Sequence, residues 1–223
     1  MPFHPSLLRL YLVMGSQDCR ERDPVWVLKE AIAGGITLFQ FREKHSSLHL
    51  GEAYTLGKKL RQICREHDIP FIVNDRVDLG MALDSDGFHV GQEDLPAKTV
   101  RQLTGSYPIL GVSCDAPEEI RSAQDAGAHY VGTGAMYATK SKSDAGEPVG
   151  PQAIENLVQQ PGCPPIVGIG GIRSDRVDPV IQAGAEGVAV ISAISAADDP
   201  RSAAGELREA VEKSLSCRRS PLV

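Results

Sequence analysis

No CxxC pair occurs in the chain, and its five cysteines, Cys19, Cys64, Cys114, Cys163 and Cys217, stand singly and far apart. An odd, dispersed set excludes a disulfide framework and a zinc-site spacing, and it points to reduced thiols in a cytoplasmic protein. Long hydrophobic runs are missing too. The N-terminal stretch "LLRLYLVMG" is interrupted by Arg9, is too short to span a bilayer and is followed by no small-residue cleavage site. It is expected to be a first strand, with no membrane partner. The third absence is an excess of positive charge: 23 Lys and Arg stand against 29 Asp and Glu, a formal net charge of -6. Nucleic-acid partners call for basic residues concentrated on one face, so none is expected. A local anion site is still allowed, because net charge is a global sum and a cleft is local.

What is present is an alternation. Short apolar runs recur as "LYLVMG", "ITLFQF", "PFIVN", "GFHVG", "PILGVS", "HYVGTG", "PIVGIG" and "GVAVIS". Between most of them lie stretches of helical periodicity. "DPVWVLKEAIAGG" opens on an Asp-Pro start signal and closes on glycines, and "APEEIRSAQDAGA" does much the same. "AIAGGITLFQF", "AQDAGAHYVGTG" and "IQAGAEGVAVIS" form a faint repeat of helix end, glycine and apolar strand. Glycine there caps the helix in a left-handed conformation and lets the chain turn into the next strand. Parallel neighbours need crossover helices, so strands alternating with helices imply a parallel sheet. Eight such units predict an α/β fold, a single (β/α)8 TIM barrel of near-minimal length over residues 1–223, with a frayed tail near 218–223. A doubly wound open sheet is the alternative; the count of eight and the glycine repeat favour the barrel.

Barrel strands converge at their C-terminal ends, where active sites are built. Several runs here end in groups able to grip an anion or a metal. Arg42 and Lys44 alternate after the second strand, so their side chains are expected to point the same way; Arg binds phosphate oxygens bidentately and Lys acts as a point charge. Glu43 is expected to face away into a structural ion pair. Asp75 and Asp94 follow the third and fourth strands, and two neighbouring carboxylates repel unless a cation sits between them. Magnesium takes a few carboxylates together with phosphate oxygens. Asn74 offers an amide to phosphate, Glu93 an outer support, and His89 is expected only to pack within its strand. Taken singly, each Asp is more often a helix cap and each cation more often a surface residue; the four groups at one mouth reverse that balance. "GIGGIRSD" and "VISAIS", after the seventh and eighth strands, suit a monophosphate, because glycines let backbone amides approach an oxyanion. The polar segment "YATKSKSDAGEPVG" after the sixth strand is expected to be a mobile lid carrying cations. Two anion sites on one mouth suggest transfer of a group from a diphosphate ester to a phosphorylated acceptor.

The ordered set "QFREK", "VND", "GQED", "GVS", "YATKSK", "GIGGI" and "VISAIS" resembles the thiamine-phosphate synthase family, also called thiamine-phosphate pyrophosphorylase, over nearly the whole chain. That resemblance implies a (β/α)8 barrel that joins an aminopyrimidine methyl diphosphate to thiazole phosphate, forming thiamine phosphate and pyrophosphate. Carried over by position, it implies that Gln40, Arg42, Lys44, Asn74, Ser113 and Lys142 bind the pyrimidine diphosphate, with Arg42, Lys44, Ser113 and Lys142 also assisting catalysis. Asp75 and Asp94 would hold Mg2+. Thr139, Ser141, Gly171, Ile191 and Ser192 would bind the thiazole phosphate. The implied mechanism is dissociative and needs no covalent intermediate. The implied partners are these small molecules, and a homo-oligomer is compatible with the pattern.

Overall fold

The computed structural model describes residues 2–44, 46–139, 141 and 146–219. Every apolar run singled out in the sequence forms a strand. In chain order these are β1 (Leu10–Met14), β2 (Leu38–Phe41), β3 (Phe71–Asn74), β4 (Gly87–Val90), β5 (Ile109–Ser113), β6 (Tyr130–Thr133), β7 (Ile166–Ile169) and β8 (Gly187–Val190). Each pairs in parallel with the next, and β8 returns to β1 to close the barrel. The open-sheet alternative is thereby excluded. Outside the strands run α1 (Pro24–Ala33), α2 (Leu50–Glu66), α3 (Val77–Ala82), α4 (Ala97–Thr104), α5 (Pro117–Asp125), α6 (Gln152–Leu157) and α7 (Val177–Gln182). After β8 come a one-turn helix, α8 (Ser192–Ser195), and the long α9 (Pro200–Arg219). Residues 220–223 of the expected tail lie outside the described residues, whereas Arg218 still belongs to α9.

Local chemistry explains where the helices begin and end. Asp23 caps α1 by accepting a hydrogen bond from the Val25 N–H at 3.0 Å, with Pro24 in the first turn. The Glu119 carboxylate reaches back to the N–H groups of Asp115 and Ala116 at 2.7 and 3.1 Å, covering donors that α5 would otherwise leave unpaired. The three repeat glycines Gly35, Gly127 and Gly184 have φ of 99°, 69° and 116°, a region costly for other residues.

Most strand residues are buried on both faces, so the core has two parts. Leu10, Leu12, Phe39, Val73, Val90 and their counterparts pack outward against the helices. Tyr11, Val13, Leu38, Ile72, Ile109, Tyr130, Val167 and Ala189 fill the lumen. Each fully buried aliphatic side chain contributes roughly 1.5–3 kcal/mol relative to exposure. Leu8, on a 3-10 turn just before β1, belongs to the lumen cluster, and Phe3 packs against it with its ring 6.0 Å from that of Tyr130. The N-terminal segment thus plugs one end of the barrel and leaves the other end for a site. No helix among the described residues is long and apolar enough to cross a membrane.

Candidate active site

The alternation that puts Leu38 and Gln40 of β2 in the lumen continues past the strand to Arg42 and Lys44. Their environments differ. Gln40 and Arg42 are only 3% and 4% exposed, whereas Lys44 reaches the surface of the mouth. Lys44 Nζ pairs with Asp75 Oδ2 at 3.0 Å. Glu43 turns the other way and accepts from the Ser16 N–H and hydroxyl at 2.9 and 2.5 Å.

Asp75 follows Asn74, the last residue of β3, with φ of 55°. Its N–H donates to the His89 carbonyl at 2.9 Å, which fixes the bend and directs its carboxylate across to the loop after β4. A non-glycine residue in this region costs on the order of 1 kcal/mol, and Asp tolerates it better than most. In that next loop Asp94 Oδ2 accepts from the Gly91 N–H at 2.7 Å and the carboxyl makes contact with Asp75. Burial first, and then the Asp94 contact, push the Asp75 carboxyl above its usual range; Lys44 opposes them. Among the described residues no group of three or more His, Cys, Asp or Glu gathers as a metal site. Asp75 and Asp94, the two carboxylates singled out in the sequence, are in contact with each other.

Above the strand ends opens a cavity of about 1280 Å3. That volume exceeds the roughly 300–1,000 Å3 typical of a site for one small ligand. Lys44, Asp94 and Ser113, from the ends of β2, β4 and β5, line it together with Thr139, Ser141, Gly171, Ile191 and Ser192, from the segments after β6, β7 and β8. Gln40, Arg42, Asn74 and Asp75 are not part of that wall: the first two are buried, and the others are half-buried at the end of β3 and just beyond it. Gly170 and Gly171 have φ of 101° and 63°, turning the chain sharply after β7. A Cβ on Gly171 would lie 2.8 Å from the carbonyl oxygens of both Tyr137 and Ala138, so this glycine also admits the loop after β6. Ser141 Oγ lies 2.7 Å from Ser192 Oγ, joining that loop to the first residue of α8. Lys142, with Lys140 and residues 143–145, lies outside the described residues. Hydroxyls, a cation and glycine backbone around one hollow offer donors and positive charge to anionic groups.

Several wall residues had no role assigned from the sequence. Gln17, Asp18 and Arg20 come from the loop after β1, where "GSQDCRER" shows no strand-end pattern. Asp18 accepts from the Gly15 N–H at 2.8 Å; burial raises its carboxyl above the usual range, with nearby Arg42 opposing. Arg173 and Arg176 line the cavity after β7, and Arg176 stacks over the Tyr137 ring at 5.0 Å. His89 departs most from expectation. It lies in β4, but it faces the lumen between the hydroxyls of Tyr130 and Ser113, at 3.0 and 3.1 Å, and is not simple packing. Its polar partners come from β6 and β5, and no local pattern connects them.

The family model described as thiamine monophosphate synthase matches residues 10–194. The chain is 50% identical over 207 residues to the thiamine-phosphate synthase of Geobacillus thermodenitrificans, covering 92% of this chain and 93% of that one. It is 47% identical over 210 residues to the thiamine-phosphate synthase of Bacillus velezensis, covering 94% and 93%. Among solved structures, the thiamine phosphate pyrophosphorylase from Pyrococcus furiosus superposes with a TM-score of 0.83 at 36% identity, covering 95% of this chain and 98% of that one.

Proposed function

This chain belongs to the thiamine monophosphate synthase family, transferases of thiamine biosynthesis, and from that premise we propose that it joins an aminopyrimidine methyl diphosphate to thiazole phosphate. The products are thiamine phosphate and pyrophosphate. One observation carries the reading: groups suited to a diphosphate, from the ends of β2, β4 and β5, and groups suited to a monophosphate, from the segments after β6, β7 and β8, line one cavity large enough for two ligands. Lys44 and Ser113, with Gln40, Arg42 and Asn74 close by, serve the pyrimidine diphosphate. Thr139, Ser141, Gly171, Ile191 and Ser192 serve the thiazole phosphate. Lys142 joins the diphosphate group by family resemblance.

In the proposed reaction the bond between the pyrimidinylmethyl carbon and the diphosphate oxygen breaks first, and the electron pair leaves with pyrophosphate. The amino group of the pyrimidine spreads the positive charge left on carbon. The thiazole nitrogen, held nearby through its phosphate, then donates its pair to that carbon and forms the new C–N bond. Arg42, Lys44 and Lys142 stabilise the charge gathering on the leaving group, an effect that strengthens as the bond breaks. No side chain needs to act as a covalent nucleophile.

Magnesium is part of the proposal. Asp75 and Asp94 bring two carboxylates into contact, and Asp75 carries a raised proton affinity that a divalent cation beside it would relieve. Such a donor set fits magnesium, which binds a few carboxylates and completes its shell with phosphate oxygens and water. When bound, it would neutralise charge on the diphosphate. The free cysteines fit a cytoplasmic setting. The test is turnover with both substrates: thiamine phosphate and pyrophosphate should appear in equal amounts and only when both substrates and magnesium are supplied. Release of pyrophosphate without thiamine phosphate, or no turnover, would refute the assignment.

A further inference from the structure

The lumen holds a polar chain that the proposed reaction does not by itself explain. Gln40 Nε2 donates to the Tyr11 hydroxyl at 2.7 Å, and the hydroxyls of Tyr11 and Tyr130 are 2.7 Å apart. The Tyr130 hydroxyl is 3.0 Å from His89 Nδ1, and His89 Nε2 is 3.1 Å from Ser113 Oγ. Five side chains from five strands thus connect across the barrel. Four are buried, and the fifth, Ser113, lies on the cavity wall.

The backbone makes room for this chain. A Cβ on Gly111 of β5 would run into the Tyr130 phenol and come within 2.6 Å of His89 Nδ1. One on Gly132 of β6 would come within 3.3 Å of the His89 Cε1 atom. Two glycines on neighbouring strands therefore leave the space that the imidazole and phenol fill.

The direction of the chain follows from its first link. Burial pushes both phenols well above their ordinary range, so each keeps its proton and can give one hydrogen bond while receiving another. Tyr11 receives from the Gln40 amide and gives to Tyr130. Tyr130 in turn gives to His89 Nδ1. A neutral imidazole that accepts at Nδ1 carries its proton on Nε2. In the reverse direction the Tyr11 proton would meet the amide hydrogens of Gln40, and a buried donor would be left without an acceptor along the chain.

We infer that His89 is a positioning residue: its Nε2 proton occupies a lone pair of Ser113 Oγ and turns the serine proton toward the cavity. The substrate atom set against Ser113 is then a hydrogen-bond acceptor. The inference rests on the proposed function in taking that substrate to be the pyrimidine diphosphate. A merely structural histidine would fill space without fixing which way the serine donates.

Two measurements test it. Long-range proton–nitrogen correlation NMR on the wild-type protein, which has six histidines, should show the His89 proton on Nε2. A proton on Nδ1, or on both nitrogens, at neutral pH overturns the inference. In steady-state kinetics His89→Leu should raise the KM for the pyrimidine diphosphate about tenfold, the size of one good hydrogen bond, and leave the KM for thiazole phosphate within about twofold. His89→Gln, whose amide N–H can stand in for Nε2–H, should recover most of that loss. Equal rises in both KM values, or a Gln variant as impaired as the Leu variant, overturn the inference. If wild-type protein shows no turnover, the proposed function fails, and the NMR measurement still decides the role of His89.

Discussion

At the scale of single residues, the proposed metal pair separates charge from shape. Asn can occupy the left-handed conformation of residue 75 nearly as well as Asp. Asp75→Asn and Asp94→Asn therefore remove a negative charge with little backbone cost. Each is expected to lower turnover by roughly a hundred- to thousandfold, the scale for losing one charge-stabilising contact. The KM for thiazole phosphate should hardly change, because that ligand is assigned to the segments after β6, β7 and β8. Steady-state rates over a range of magnesium and thiazole phosphate concentrations check both statements, and unchanged turnover in the two variants would remove the carboxylate pair from the mechanism. Gly171 gives the complementary case. Its φ of 63° and the carbonyl oxygens of Tyr137 and Ala138 leave no place for a side chain. Gly171→Val should raise the KM for thiazole phosphate more than that for the pyrimidine diphosphate, by displacing the loop after β6 and the amides after β7 together. A selective effect on the pyrimidine substrate would reverse the assignment of the two groups of residues.

At the scale of elements, the helix starts and strand edges make predictions of stability. Glu119→Ala uncovers the N–H groups of Asp115 and Ala116 at the start of α5. Loss of such a cap is expected to cost about 1 kcal/mol, measurable as a lower urea midpoint with an unchanged slope. His129, just before β6, ties its strand to β5 by accepting the Leu110 N–H on Nδ1 at 3.0 Å. Burial, and then Arg101, hold its pKa below the usual 6.5. The folded ring thus gives up its proton more readily than the unfolded one. Its contribution is complete above pH 6.5, declines as acidity increases through the interval down to the folded pKa, and is flat below it. His129→Gln should flatten this part of the stability profile. Urea midpoints at neutral and mildly acidic pH provide the check, and a variant as acid-sensitive as the parent would place the titrating group elsewhere.

At the scale of the whole molecule, closure of the ring is what brings the proposed anion-binding groups together. β8 pairs with β1 through Leu10–Val188, Tyr11–Ala189 and Leu12–Val190. Gly187 lies where this seam begins, and a Cβ there would clash with the Leu8 carbonyl and come within 2.5 Å of Arg9 Cα. The obstacle is backbone and cannot rotate away. Gly187→Val is expected to cost about 3 kcal/mol, or roughly 6–12 °C in Tm for a chain of this size. Calorimetry should show that loss, while any folded fraction binds both substrates without preference, unlike the site variants. A side-chain seam supports the same closure from outside. Arg9 and Arg208 share Glu212 of α9, and Arg218 binds Glu186 and the carbonyl oxygens of Ile181 and Ala185.

The sequence by itself determined the alternation of strands and helices, the glycines at their junctions and the chemical character of the strand ends. These properties are local: helical and strand periods, capping groups and positive φ each depend on a few neighbouring residues. Arg42, Asp75, Asp94 and Ser192 could therefore be selected before any strand was placed in space. Which polar groups reach the cavity, and which lie beneath it, was decided by the tertiary structure. The strands are buried on both faces, so apolar content shows no alternation between helix side and lumen side. Lys44 reaches the mouth while Arg42 and Gln40 are enclosed, although all three follow one alternating pattern. The lumen chain is hidden for a stronger reason. Tyr11 and Tyr130 are 119 positions apart and meet only because the closed barrel brings distant strands to a common axis.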